Sequence, residues 1–336
     1  MSRVLIGIPT FRRPQFVTQA VQSVRDQSFQ DWRAIVSDNA SPGDAGARIR
    51  DAVGALGDSR VSFHQQPENR GEYGQGRYFL AQAEALGCDY FVMLHDDDKL
   101  EPGHLEAAVA ALDAHPGMAL FACNANVMIE DGTRSAGLTE DFDRRSQRVD
   151  VADGPIDVLS THMACGFTPI SGAFFRVAAL KDSGFVDADL YGCVPFEINI
   201  FLRLGERGAK AWFDSRRLLS FRSHSQQMQK TDYLNNEEYV RLTIRLFERR
   251  RFEGVNEQRR RQYLGRLHRI EAMHKAHGGD YAGARQESVM AMRANAKSVR
   301  TWLVAAGTHL APYVVRTVAR AWLSGAGAAI PRPAQQ

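Results

Sequence analysis

Short apolar runs alternate along the first third of the chain with stretches whose apolar positions recur every three or four residues. Val4–Ile8 is a β-branched run closed by Pro9, the pattern of a buried strand. Val17, Ala20, Val21 and Val24 then fall at helical spacing, so Pro14–Gln27 reads as an amphipathic helix with Pro at its start. Trp32–Ser37 predicts a second strand, ending in Asp38-Asn39, and Asp44–Leu56 a second helix. Val61–Gln65 predicts a third strand, followed by the polar turn Pro67-Glu68-Asn69-Arg70-Gly71. Arg77–Leu86 is a small-residue helix, Tyr90–Leu94 a fourth strand, and Gly103–His115 a helix through Leu105, Ala108, Val109 and Leu112. Strands alternating with helices predict an α/β fold, a mostly parallel sheet wound with right-handed crossovers.

Past residue 115 the alternation loosens. Ala119–Ile129 reads as a strand pair or one long strand, Arg134–Ser160 as a polar loop and candidate flap, and Ser171–Val177 as a strand. Pro195–Glu206 predicts a helix with Ile198, Phe201 and Leu202 as its apolar stripe, and Ala209–Phe213 and Leu218–Phe221 predict short strands. From Asn236 onward the pattern is helical throughout, which divides the chain into residues 1–230 and a helical region, 231–336. Gly279–Arg285 resembles the turn and second helix of a helical-hairpin repeat, without a second copy.

Composition narrows the class. The 336 residues are 44% apolar and 24% charged, as in an ordinary globular protein, and a net charge of +3 is too small to imply a nucleic-acid partner. The charge is uneven, however: ten arginines lie between Arg241 and Ile270, and after Glu287 there are cations but no acidic residue. Cys88, Cys123, Cys165 and Cys193 make no CxxC pair and read as reduced thiols. The chain enters a strand at Val4, and no stretch reaches the length of a spanning helix, so neither a signal peptide nor a membrane span is expected. The expected location is cytoplasmic, with a peripheral attachment suggested by Tyr313–Leu323. There Val315, Val318, Ala319 and Trp322 share one face and Arg316 and Arg320 the other, which suits an anionic membrane surface or an ordinary packed helix. Self-association is left open.

The candidate chemistry starts at Tyr90–Leu94, which runs directly into His95-Asp96-Asp97-Asp98. In an extended chain Asp96 and Asp98 share one side and Asp97 the other. Adjacent carboxylates repel unless screened. At the carboxyl end of a buried strand, where open α/β sheets bind ligands, they suit a hard divalent cation that shares its oxygens with phosphates.

Ile6-Gly7-Ile8-Pro9-Thr10-Phe11-Arg12-Arg13, Val36-Ser37-Asp38-Asn39-Ala40-Ser41, Asn69-Arg70-Gly71 and His95-Asp96-Asp97-Asp98-Lys99-Leu100-Glu101-Pro102 resemble, in this order, the motifs of family 2 glycosyltransferases of the GT-A fold. The resemblance covers residues 3 to 225. It implies a Rossmann-like sandwich with a mostly parallel central sheet, and an inverting transfer from a nucleoside-diphosphate sugar, a UDP-sugar first, to a hydroxyl of a glycan or lipid-linked acceptor. It places Pro9, Thr10, Arg12, Asp38, Arg77, Asp96 and Asp97 on the donor side, with Asp38 accepting from the nucleotide base. It places a divalent cation, manganese or magnesium, on Asp98 and Asp96, with His224 at the end of Leu218–His224 completing the shell or touching the pyrophosphate.

The match departs from the family pattern at three points. Tyr78 stands where Asn usually follows the arginine, and His95 stands where the leading acid is expected and reads as a polar cap. Counting back from Leu202-Arg203-Leu204, Glu197 takes the place of the catalytic Asp and Phe196 that of the preceding Glu. Glu197 is the expected catalytic base, with Asp187 and Asp189 next in line. Rival readings are weaker. A dinucleotide-dependent oxidoreductase needs G-x-G-x-x-G after the first strand, and a sugar nucleotidyltransferase a glycine-rich basic loop there. The change at Glu197 leaves a catalytically inactive binding or scaffold subunit as the alternative from another class.

Overall fold

The structure is a computed structural model and describes residues 2–146, 151–165, 170–190, 196–224 and 236–321. The chain divides into two compact units, residues 1–192 with 196–224, and 193–195 with 225–336.

In the first unit the strands are β1 (Val4–Thr10), β2 (Trp32–Asp38), β3 (Val61–Gln65), β4 (Tyr90–Met93), β5 (Lys99–Leu100), β6 (Met118–Met128), β7 (Gly154–Asp157), β8 (Phe174–Arg176) and β9 (Lys210–Arg222). The helices are α1 (Pro14–Arg25), α2 (Ala45–Gly54), α3 (Gly71–Ala85), α4 (His104–Ala114), α5 (Ala136–Ser146), α6 (Val158–Cys165), α7 (Val177–Asp182) and α8 (Phe196–Glu206). One sheet runs β3-β2-β1-β4-β8-β6-β9-β5, with β7 also on β9. β1 pairs in parallel with β2 and β4, β2 with β3, and β6 with β9. β8 lies antiparallel between β4 and β6, and β5 and β7 run antiparallel to β9.

The two-residue alternation of the strands builds two cores. Val4, Ile6 and Ile8 face α1, α2 and α4 through Val17, Val21, Ile49, Leu105 and Leu112. Leu5, Phe91 and Met93 face the other way, onto Phe79 and Leu80 of α3 and Phe196, Ile200 and Phe201 of α8. Both faces of the central strands are therefore apolar, which is why they read as unbroken hydrophobic runs. Gly7 belongs to this second face. A Cβ there would stand 2.5 Å from the Phe79 ring, so the strand accepts only glycine where α3 crosses it.

Two expectations are corrected. Residues 134–160 contain α5 and β7 where a loop was expected. α5 is held largely by polar contacts and one ring: Asp143 pairs with Arg217 at 2.6 Å, the Thr139 hydroxyl accepts from Val127 N at 2.9 Å, and Phe142 stacks on Phe221. The two short strands expected over 209–221 are one strand, β9. Its register on β6 jumps from Asp214 opposite Cys123 to Arg217 opposite Asn124, and the polar bulge Asp214–Arg217 interrupts the sequence pattern without ending the strand. Ala119–Ile129 resolves to one long strand, β6. The segment Ser225-Gln226-Gln227-Met228, the residues Pro195, Trp322 and Leu323, and the thiols of Cys165 and Cys193 lie outside the described residues; Cys88 and Cys123 are buried and form no disulfide among the described residues.

The second unit is helical: α9 (Glu237–Glu248), α10 (Gly254–Gly278), α11 (Tyr281–Ala294), α12 (Val299–Leu310) and α13 (Pro312–Ala321). Three of them begin on a side-chain cap. Asn236, Asp280 and Ser298 accept from the backbone N–H of Tyr239, Gly283 and Thr301. α10 ends at Gly279, whose φ of 88° is the left-handed stop. On α13 the face expected to meet a membrane is split. Val315 and Ala319 are buried, Val315 against Ala276 and Ala284, whereas Val318 is exposed.

Candidate active site

Thr10 and Asp38 stand opposite each other at the ends of β1 and β2, and β4 ends beside them in His95–Asp98. The carboxyl edges of three parallel strands therefore deliver the motif residues to one rim. The turns after β2 and β3 are tied together: Asn39 donates to Asn69 Oδ1 at 2.9 Å, and its own Oδ1 accepts from Arg70 N at 2.9 Å. Asp38 is fully buried, and its carboxylate accepts from Ser41 N at 3.1 Å and Ser41 Oγ at 2.5 Å. Ser41 Oγ also accepts from Arg12 N, fixing Arg12 at a left-handed φ of 63° with its side chain exposed. Pro9 is half-buried and Arg77 is exposed on α3.

The three aspartates do different things. Asp96 accepts from Thr10 Oγ1 at 2.7 Å and from Arg13 at 3.3 Å. Asp97 accepts from Arg13 at 2.8 Å and shares a hydrogen bond with His224 Nε2 at 2.9 Å. Asp98 accepts from Arg222 N at 2.8 Å, while its Oδ2 is buried with no hydrogen-bond partner among the described residues. His95, Asp97 and Asp98 present ligand-type atoms within 4.8 Å of one another. Asp96, turned to Thr10 and Arg13, is not part of that group, and neither is His224, whose contact is with Asp97. Carboxylate oxygens suit hard cations such as manganese or magnesium, and an imidazole suits softer ones such as zinc. The partnerless Asp98 oxygen and the convergence of these three groups fit a divalent ion, and His95 joins the candidate ligand set in its neutral form, once it has given up a ring proton.

Several residues that the sequence pattern did not single out build this rim. Arg222 is fully buried: its Nε donates to Asp97 O at 2.7 Å, and its guanidinium also reaches Ile129 O, Glu130 O and Gln19 Oε1. Ser171, arriving from the loop before β8, accepts from His95 N at 3.1 Å. Glu72 in the first turn of α3 pairs with His95 Nε2 at 3.4 Å. Only adjacency to the Asn69-Arg70-Gly71 turn could have flagged Glu72; nothing in the sequence flags Ser171.

Electrostatics follow from burial. Asp96 and Asp98 are pushed up, first by burial and then by the charge of Asp97. Burial would raise Asp97 too, but His224, His95 and Arg13 outweigh it and hold it below the usual range. Burial would likewise lower the His95 imidazole, yet the Glu72 hydrogen bond and the surrounding carboxylates raise it to about 10.

Glu197 sits half-buried in the first turn of α8. Burial, then the charge of Glu72, raises it to about 7, while the charge of His95 opposes the rise. Its helix is fixed to α3 by the buried Asn199, which donates to the Tyr73 hydroxyl. Asp187 is committed to Arg203, at 3.2 Å.

Residues 5–171 match the family model described as glycosyl transferase family 2. A curated relative, the GalNAc(5)-diNAcBac-PP-undecaprenol beta-1,3-glucosyltransferase of Campylobacter jejuni, is 26% identical over 196 residues, 57% of this chain and 57% of that protein. Across the first curated relatives the match spans only 14% to 57% of their length. Residues 1–349 of S. aureus TarS, in complex with UDP-GlcNAc, superpose with a TM-score of 0.63 at 15% identity, covering 97% of this chain and 92% of that one. The mannosyltransferase PcManGT of Pyrobaculum calidifontis, with GDP-Man and Mn2+, superposes with a TM-score of 0.52 at 16% identity, covering 96% and 85%. At these identities the superpositions speak to the fold, which is the GT-A sandwich followed by helices. With the matched motifs at the carboxyl edge of its sheet, the chain belongs to glycosyl transferase family 2.

Proposed function

We propose that this glycosyltransferase moves a sugar from a nucleoside-diphosphate donor, a UDP-sugar, to a hydroxyl of a glycan or lipid-linked acceptor in surface-polysaccharide or glycoconjugate synthesis, with inversion and with a divalent cation. The observation that carries the reading is the His95, Asp97 and Asp98 group with its partnerless Asp98 oxygen, at the edge where Thr10 and Asp38 also end their strands. UDP-GlcNAc on TarS supports a UDP-sugar, Mn2+ on the mannosyltransferase supports a cation, and the undecaprenol-linked substrate in the name of the C. jejuni relative supports a lipid-linked acceptor.

In this reading Pro9, Thr10, Arg12, Asp38 and Arg77 seat the nucleotide. His95, Asp97 and Asp98 hold the cation, with Asp96 and His224 fixing the neighbours of that group. When bound, the cation neutralises the departing diphosphate without any proton transfer. Glu197 takes the proton of the acceptor hydroxyl as its oxygen forms the new bond to the anomeric carbon. The bond from that carbon to the donor phosphate breaks, and its electron pair leaves with the nucleoside diphosphate. A half-buried carboxyl raised to about 7 is matched to this task, because a base works best when its pKa lies near the working pH.

The test is calorimetric titration of UDP, with and without manganese, into wild type and Asp98→Ala, together with UDP release from UDP-sugars. Manganese-dependent binding that the substitution removes is expected. Equal binding by both proteins in manganese would overturn the metal assignment, and no UDP release from any UDP-sugar would overturn the donor class.

A further inference from the structure

Nine large apolar side chains are exposed among the described residues, and seven of them lie on α12 and α13. Val299, Trp302, Leu303 and Leu310 recur along one side of α12 at helical spacing, and Val314 and Val318 lie one turn apart on α13. Each is between 55% and 85% exposed. The opposite side of α12, through Thr301 and Ala305, and the adjoining side of α13, through Val315 and Ala319, are already buried. Each helix thus has one packed face and a second apolar face turned to solvent, well beyond the scattered exposed residues of an ordinary surface.

Charge says what could cover that face. Arg300 is exposed one turn before Leu303, and Arg320 is exposed two turns after Tyr313. Arg293 and Lys297 are exposed just before α12. From residue 288 to 336 the chain carries six cations, Arg293, Lys297, Arg300, Arg316, Arg320 and Arg332, and no acidic residue. A second copy set against this surface would oppose like charges across a self-complementary interface. No helix among the described residues is long and apolar enough to cross a membrane. Apolar side chains flanked by cations, on helices too short to span, are the signature of a surface lying in the headgroup region of a bilayer.

We propose that the exposed faces of α12 and α13 dock on an anionic lipid bilayer, with Trp302, Leu303 and Val318 entering the interface and Arg300 and Arg320 meeting the headgroups. The inference stands apart from the donor chemistry, since none of these residues belongs to the active site.

The experiment is flotation of the full-length protein with vesicles of phosphatidylcholine alone or mixed with phosphatidylglycerol, at low and high salt. Binding to the anionic vesicles is expected to exceed that to neutral ones at least about tenfold, and to weaken with salt. Leu303→Ser/Val314→Ser/Val318→Ser should lower binding by about tenfold or more. Arg300→Gln and Arg320→Gln should each lower it roughly fivefold. All of these variants should melt as wild type does and bind UDP unchanged. The tryptophan emission should shift to the blue on binding in wild type but not in Trp302→Phe. No preference for anionic vesicles, or unchanged binding by the triple-serine variant, would overturn the proposal. So would a concentration-dependent dimer in sedimentation that the same variant disperses, which would assign the face to a second copy. Complete loss of binding on truncation after Ala321 would overturn it by moving the site to residues 322–336.

Discussion

Replacing Glu197 with Gln should stabilise the protein while disabling it. Gln keeps the size and polarity of the side chain but cannot ionise. In the folded chain burial and the charge of Glu72 raise Glu197 from the ordinary 4.5 to about 7. At about 1.4 kcal/mol for each pH unit, that gap corresponds to at most roughly 3 kcal/mol against the ionised form. Solvent at its exposed edge screens part of this, leaving about 1–3 kcal/mol. The sign follows from linkage. Below 4.5 the carboxyl is protonated both folded and unfolded, so the two proteins should be equally stable. Between 4.5 and about 7 the unfolded chain loses the proton first, and wild-type stability falls as pH rises. Above about 7 the full difference is present, in favour of Glu197→Gln. Urea denaturation of both proteins across this window measures the gap. In the same variant, turnover with a true acceptor should drop about 10²–10⁴-fold with donor affinity little changed, the loss expected for removing a general base. Wild-type turnover should rise through about pH 7, as the base ionises, and then level off. Equal stability of the two proteins at every pH would refute the buried-carboxyl argument. Near-normal turnover of the Gln variant would move the base elsewhere, with Asp187 and Asp189 as the next candidates.

Other consequences can be measured directly. Asp38→Ala strips Ser41 of both hydrogen bonds it gives the buried carboxylate, so stability should fall by about 1–3 kcal/mol. UDP titration should also show weaker binding, and a lowered melting temperature with unchanged UDP affinity would make the turn purely structural. Gly76→Ala places a Cβ into the Phe196 ring and 3.2 Å from Phe185 Cζ, and Phe196 immediately precedes Glu197. Overpacking should cost about 1–3 kcal/mol and lower turnover more than donor binding; a variant with normal melting and normal turnover would show that α8 shifts freely. Arg222→Met leaves the carbonyls of Asp97, Ile129 and Glu130 without their donor in a buried site. A loss of about 3–5 kcal/mol in urea denaturation is expected, and a loss below about 1 kcal/mol would mean that water replaces the guanidinium there.

The sequence by itself determined the parts whose signals are local. The strands β1 to β4 carry apolar runs because both their faces are covered, and α1 and α4 carry the helical period because only one of theirs is. The turn residues at 38–41 and 69–71, and the acids at 96–98, announce themselves because each motif sits in one short stretch at a strand end. The helices after Asn236 were legible for the same reason, down to the turn that opens at Gly279. What the sequence could not carry was anything decided by contacts between distant segments. β8 inserts between β4 and β6, and Ser171 and Arg222 reach His95 and Asp98, just past β4, from 76 and 124 residues away. α5 hid because an ion pair, a threonine hydroxyl and the single ring of Phe142 hold it in place of a full apolar stripe. In extended chain Asp96 and Asp98 should share a side, yet here Asp97 and Asp98 converge with His95, because Thr10 and Arg13 draw Asp96 away. On α13 composition alone could not say which apolar face the protein would keep. Packing on Ala276 and Ala284 took Val315 and left Val318 in solvent. Periodicity records that a residue is apolar and how often it recurs; the partner it meets is settled only when the chain closes on itself.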